Sequence, residues 1–347
     1  MLDAIGAARR SIHLEMYHFE SDRTGWRFAQ ALANKASDGV RVRVIYDHAG
    51  SFFTDPRLWS ALRHAGAEVR MFHPLAPWKP GWNWMRRDHR KLLVVDGSIG
   101  FTGGMNISNE YAPVSAGGEG WRDSHVRIDG PAVADLQLIF LRTWIYAGGT
   151  PPEDTRLFRA APHPDGIRAR VLANRTFQAR RTIRRALLDA IRRARDTIRI
   201  THAYFMPDGI LRRALGQAVE RGVEVFIIVP AHSDVPLFMA AGRAAQPFLL
   251  RLGCRVFLRL GPVLHAKTVV IDGHWAMLGS SNINYRSFRL NQEVNIEVEN
   301  ANFAARLERR FQEDLRESRE VSREDLARRP WGTKLADSLA FSLRRWL

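Results

Sequence analysis

A single cysteine, Cys254, stands in a chain of 347 residues, so no intramolecular disulfide can form. That fits a reducing compartment. Cys254 opens the apolar run CRVFL, which reads as a strand, so it is expected to be a buried structural thiol and not a nucleophile. No apolar run reaches the roughly 20 residues of a membrane-spanning helix. The start, MLDAIGAARRS, has no basic segment followed by an apolar stretch, so it does not read as a signal peptide. It opens almost directly on a helix and a strand, so a leading segment has either been removed or never existed in this form. Acidic residues are in deficit, 36 against 52 Lys and Arg, which leaves a net charge of +16. A field of that sign favours polyanions, either nucleic acid or an anionic membrane surface. Lysine is scarce too. Only Lys35, Lys79, Lys91, Lys267 and Lys334 interrupt the arginines among the 52 basic residues.

Two of those five lysines occupy matching places. HRKLLVVDG runs from His89 to Gly97, and HAKTVVIDG from His265 to Gly273. Each copy is followed by a small-residue turn ending in Asn, GGMN to Asn106 and GSSN to Asn282. The histidines are 176 residues apart. Flanking stretches repeat as well: ARRSIHLEMYHF with ARDTIRITHAYF, GVRVRVIYD with GVEVFIIVP, GAEVRMF with GCRVFLR, and WRDSHVRID with NQEVNIEVE. A repeat this long predicts two similar lobes and not a solenoid. The alternation of strands and helices predicts an α/β fold, each lobe a mixed β-sheet covered by helices. The expected divisions are residues 1–149, a Pro-rich and charged linker at 150–167, a second lobe at 168–330, and an amphipathic segment at 331–347.

Duplication lets two histidines meet at one active site between the lobes and divide the chemistry. One attacks phosphorus and the other handles the proton of the leaving group. A phosphodiester repels nucleophiles, so such a site needs positive charge. Lys91 and Lys267 lie two residues along the same strands as their histidines and share a face with them. A compact ammonium beside one phosphate oxygen is a reason to keep Lys in an Arg-rich chain. Asn106 and Asn282 offer neutral donors to the nonbridging oxygens. Asp123 and Glu293 can each bind the far ring nitrogen of a histidine and fix its tautomer. Asp96 and Asp272 complete the repeated motif, but they have the opposite parity and are read mainly as ordering the turn. Lys is not a usual metal ligand, and each copy brings one His, so neither a metal nor another cofactor is expected.

Two segments point to lipid. PLAPWKPGWNWMRRDH sets Trp78, Trp82 and Trp84 among Lys79, Arg86 and Arg87 just before the first motif. Trp suits the headgroup level of a bilayer, and cations suit anionic lipids. The end, WGTKLADSLAFSLRRWL, predicts a helix with Trp331, Leu335, Leu339, Leu343 and Leu347 advancing around one side and Ala336, Ala340 and Trp346 among them. Lys334, Asp337, Arg344 and Arg345 lie on the other. It reads as an interfacial membrane helix, with a helix docked on the protein's own surface as the alternative.

The paired HxK, four residues, Asp, then GG or GS and Asn pattern resembles the phospholipase D superfamily over nearly the whole chain. LEMYHFESDRTG, GVRVRVIYDHAGS, RRDHRKLLVVDGSIGFTGGMNIS, GWRDSHVRIDGP and NYRSFRLNQEVN are similar to bacterial cardiolipin synthases. The chain lacks the N-terminal transmembrane segments of the best-known members and is more like the shorter ones. The resemblance implies transfer of a phosphatidyl group between phosphatidylglycerol molecules through a phosphohistidine, with no cofactor. It implies His89 as nucleophile and His265 as general acid. Hydrolysis and a nuclease of the same superfamily are the alternatives. The Trp-rich and amphipathic segments favour anionic phospholipid substrates and a bilayer surface, so no nucleic-acid partner is expected. The place implied is the cytoplasmic side of the bacterial inner membrane, held peripherally. A catalytically dead binding scaffold is a further class, and complete motifs in both halves argue against it.

Overall fold

The structure, a computed structural model, describes residues 1–74, 85–151, 162, 163, 165–174 and 182–346. Most of the expected linker at 150–167 and the whole of the Trp78–Trp84 stretch lie outside these residues. The chain forms two compact units. The first comprises Met1–Gly120, His125–Gly166 and Asn291–Val294, and the second Trp121–Ser124, Ile167–Leu290 and Asn295–Leu347. Each unit therefore contains one four-residue stretch from the opposite half of the sequence.

In the first unit the strands are β1 (Ser11–Met16), β2 (Arg41–Asp47), β3 (Glu68–Phe72), β4 (Lys91–Val95), β5 (Ile99–Gly103) and β6 (His125–Asp129). Their order is β3-β2-β1-β4-β5-β6. β1, β2 and β3 run parallel, while β4, β5 and β6 join antiparallel. The central strands β1 and β4 are buried along their whole length; the near-continuous apolar run of β4 predicts this, whereas β1 also buries Ser11, His13 and Glu15. The helix Arg23–Ser37 begins where the Asp22 carboxylate accepts the Gly25 N–H, and it lays Ala29 and Leu32 into the core. Ile5, Ile12, Leu14, Leu58 and Leu93 complete that core.

The second unit has β7 (Ala169–Asn174), β8 (Thr197–His202), β9 (Glu224–Pro230), β10 (Arg255–Arg259), β11 (Lys267–Ile271), β12 (Trp275–Gly279), β13 (Glu293–Glu299) and β14 (Ser318–Glu320). Their order is β14-β10-β9-β8-β11-β12-β13-β7. Without the edge strands β14 and β7, the order repeats that of the first unit. Cys254 is buried in this core, and burial pushes its thiol up to about 12, which suits an inert structural residue.

The motif aspartates fasten each sheet. Asp96 and Asp272 adopt left-handed backbone, as do the glycines that follow them, and so close the β4–β5 and β11–β12 hairpins. The Asp96 carboxylate accepts the N–H groups of Arg9, Arg10 and Ser11 at 2.9, 2.7 and 2.9 Å. Asp272 accepts those of Arg195, Asp196 and Thr197 at 2.9, 2.8 and 2.9 Å. Burial raises the Asp272 carboxyl, but these three donors outweigh it and hold the group ionised.

Candidate active site

In the first unit, His89 lies just before β4, and its backbone pairs with the stretch brought in from the far half. The His89 N–H donates to Gln292 O at 3.0 Å, and the Gln292 N–H donates to Arg87 O at 2.9 Å. This pairing sets Glu293 against the imidazole, with both carboxylate oxygens 3.1 Å from Nδ1. Arg90 reinforces it. Its Nη1 donates to Gln292 Oε1 at 2.7 Å, to Thr143 Oγ1 at 2.9 Å and to Glu15 Oε1 at 3.2 Å. Lys91 is wholly buried, donates to His89 O at 2.7 Å and lies 4.9 Å from the centre of the Tyr17 ring. The Tyr17 ring meets His89 edge-on at 4.8 Å.

The second unit repeats the device. The Arg122 N–H donates to Val263 O at 2.9 Å, and the His265 N–H donates to Arg122 O at 2.8 Å. Asp123 thereby reaches His265, with Oδ2 at 2.7 Å from Nδ1. Arg122 is anchored in turn by Asp314, at 2.8 and 2.9 Å. Lys267 Nζ donates to His265 O and lies 2.9 Å from His265 Nδ1. Burial raises the Asp123 carboxyl, but the charges of Lys267 and His265, with hydrogen bonds from His265 and the Ser124 N–H, bring it below the ordinary carboxylate value. Nδ1–H therefore donates to an ionised Asp123. The rings of Trp121 and Tyr204 each stand 6.0 Å from that of His265.

The asparagines differ. Asn106 is half-buried: its Oδ1 accepts the His18 N–H at 3.3 Å, and its Nδ2 donates to the Tyr111 hydroxyl at 2.8 Å. Asn282 is buried, and among the described residues its Oδ1 has no hydrogen-bond partner. Also among the described residues, no three His, Cys, Asp or Glu side chains group closely enough to hold a metal ion. Of the expected lipid-facing tryptophans, Trp331 and Trp346 are 80% and 56% exposed.

The family of the cardiolipin synthase, PLD-like domain matches residues 1–144 and 187–315. The chain belongs to that family. It is 34% identical to cardiolipin synthase A of Pseudomonas fluorescens over 94% of its own length and 67% of that protein's. It is 33% identical to the major cardiolipin synthase of Bacillus subtilis, over 98% of this chain and 71% of the other. Among solved structures, the phosphatidylserine synthase of Haemophilus influenzae superposes with a TM-score of 0.77. That alignment covers 100% of this chain and 92% of the other at 15% identity, so it shows the shared fold alone.

Within that fold, sequence reasoning singled out both histidine–carboxylate pairs but did not foresee which carboxylate serves which histidine. Each histidine takes its partner from the opposite half. The signal was available: Arg122 and Gln292 hold equivalent places in the repeat, just before the carboxylates, and a backbone exchange there moves both together. Arg90, Tyr17, Tyr204 and Trp121 went unnoticed because the repeat does not match them: their counterparts are Ala266, Ala203, His18 and Asn291.

Proposed function

We propose that this chain makes cardiolipin from two molecules of phosphatidylglycerol by transferring a phosphatidyl group through a phosphohistidine. The observation that carries this reading is the matched setting of the two motif histidines. Each has Nδ1 against a buried carboxylate, which makes Nε2 the reacting nitrogen. His89 Nε2 attacks the phosphorus of the first lipid. The bond to the glycerol headgroup breaks, and His265 gives that oxygen its proton. A headgroup hydroxyl of the second lipid then attacks the phosphohistidine. It loses its proton to His265, and the phosphorus–nitrogen bond breaks. Lys91, Lys267, Asn106 and Asn282 offset charge on the nonbridging oxygens. Asp123 and Glu293 stabilise each imidazolium as it forms.

The names of the relatives support lipid glycerol as the acceptor. Incubation with phosphatidylglycerol in mixed micelles, with products separated by mass, tests it. Cardiolipin and glycerol are expected. Phosphatidic acid would make the chain a hydrolase, and cleavage of DNA with no lipid product would make it a nuclease.

The chain is further proposed to act peripherally at an anionic bilayer, on the cytoplasmic side of the bacterial inner membrane. Among the described residues, no helix is long and apolar enough to cross a membrane. The helix Trp331–Ser342, shorter than the sequence pattern implies, buries Asp337 and Ala340. Asp337 accepts from Arg243 at 2.7 Å. Docking therefore uses Asp337 from the polar side and Ala340 from the edge of the apolar one, and the stripe of Trp331, Leu335, Leu339, Leu343 and Trp346 remains exposed. The two readings of this helix are thus compatible. Replacing Trp331, Leu335 and Leu339 by Ser should lower activity on anionic vesicles several-fold more than activity on a short-chain soluble substrate. Equal losses would leave the helix as a docked surface element.

A further inference from the structure

A cavity of about 440 Å³ lies in the first unit, between the helix Arg23–Ser37, the start of the chain and the segment from Met105 to Ala116. Its wall is mostly apolar, including Phe28, Met105, Ile107 and Ala112. No acidic residue lines it, and Arg23 and Arg27 do. These two arginines are one helical turn apart and exposed, so they stand on the same side of the helix at the cavity's mouth. Arg23 donates to Ala116 O, whereas Arg27 has no ion-pair partner among the described residues. The first motif's asparagine, Asn106, is part of the same wall, beside the Tyr111 hydroxyl that it binds. Asn106 also accepts from His18 N–H, next to the Tyr17 ring that meets His89.

We propose that this cavity takes one acyl chain of the acceptor phosphatidylglycerol, with Arg23 and Arg27 at its mouth binding that lipid's own phosphate, which does not react. The proposal rests on the phosphatidyl-transfer reading and names the subsite that would hold the lipid tail. The cavity has the size of a ligand pocket, and its apolar wall gives water few partners. Sugars and bases need several convergent polar groups, and those of this wall are already engaged: Thr24 with Asn109, Ser108 with Glu110 and Asn106 with Tyr111. A tail needs apolar surface, and an anionic head needs cations at the rim. Both are present, in that order from inside to outside, in a cavity whose wall includes a residue of the first motif.

The test uses the full chain in mixed micelles with a phosphatidylglycerol carrying a diazirine near the end of one acyl chain. After irradiation, label is expected on peptides covering Met105–Ala116 and Arg23–Phe28, and excess dioleoyl phosphatidylglycerol should compete it away. Arg27→Ala should reduce that labelling. Ala112→Trp, checked by its melting temperature, should raise KM for the dioleoyl lipid about tenfold more than KM for the dihexanoyl lipid, because several buried methylenes lose their contacts. Label confined to the Trp331–Trp346 region would overturn the proposal, as would an unchanged ratio of KM values in a folded Ala112→Trp chain. A wild-type chain that makes cardiolipin without labelling the cavity counts against the acyl site alone. One that makes no cardiolipin counts against the transfer reading.

Discussion

Behind the two histidines, two sheets of the same strand order differ in buried charge. In the first unit, Glu15, Asp47, Arg87, Asp88 and Arg90 are all buried near His89. Arg87 reaches Asp47 at 3.5 Å, the Asp88 N–H donates to Asp47 Oδ2 at 2.8 Å, and Arg90 reaches Glu15 at 3.2 Å. In the second unit, the repeat puts Thr201, Pro230, Val263, Leu264 and Ala266 at those five places. Burial, and then the neighbouring Glu15, hold the Asp88 carboxyl well above its ordinary value, so it retains a proton where an exposed aspartate would have lost it. The fold therefore does not require these charges, since its other copy stands without them. Buried ion pairs are poor sources of stability. Their place is beside the backbone exchange that carries Glu293 to His89, where Arg90 grips Gln292. The second unit anchors its exchange from outside the motif, through Arg122 and Asp314.

The sharpest break of the comparison is at the histidines themselves. His89→Ala and His265→Ala should each remove turnover by roughly 10²- to 10⁴-fold or more while the protein stays folded. Denaturant quench during turnover should trap phosphate on His89. Label found on His265 alone would reverse the roles, and full activity in either variant would end the two-histidine mechanism.

Next in size is the charge network. Arg90→Ala removes the cation beside buried Glu15 and should cost about 3–5 kcal/mol, read from urea unfolding. Making the first unit resemble the second, with Glu15→Thr, Asp88→Leu and Arg90→Ala together, should restore most of that loss. If the triple variant is less stable than the single one, the charges are needed for folding after all. Smaller effects are expected at the carboxylates. Glu293→Gln and Asp123→Asn retain shape but lose the charge that fixes the ring, and each should lower kcat by roughly 10- to 100-fold. Wild-type kcat in either would remove that carboxylate from the mechanism.

The motif spacing made the duplicated sheet legible, because apolar runs such as LLVVD and TVVID are central strands wherever they occur. His/Lys parity and the acids Asp123 and Glu293 were legible for the same reason, since the repeat marks them twice. What the repeat cannot mark is what only one copy has. Arg90, the acids behind it and the rings of Tyr17 and Trp121 are singletons, and pattern matching passes over singletons. The crossed partnership of Asp123 with His265 is a long-range contact with no local period. The terminal helix was legible as amphipathic, but not in which face docks: the buried Asp337 meets Arg243, which lies 94 residues away, and Arg329 at 3.8 Å.

The mildest test concerns a histidine that is not in the motif. His202 is fully buried on β8, opposite Lys267 on β11, and Met16 holds its place in the first unit. Burial, and then the Lys267 charge, push His202 down to about 3 from 6.5. The unfolded chain takes up this proton near its ordinary value and the folded chain does not. Its contribution is therefore fully present above pH 6.5, and stability is lost as pH falls from there toward 3, by up to about 1.4 kcal/mol per pH unit. His13, also pushed to about 3 by burial and Arg43, gives the first unit the same tendency. There Asp47 opposes it. Burial raises Asp47 to about 6 from 3.8, so between those values the folded chain holds the extra proton, and acidification through that window stabilises. The second unit has Pro230 at that place, and the carboxyl that burial raises there is Asp314 instead. His202→Met should therefore make the urea midpoint fall less between pH 7 and pH 5 than it does in the wild type, while Asp47→Asn should make it fall more. An equal drop in all three chains would show that neither buried group governs the acid response.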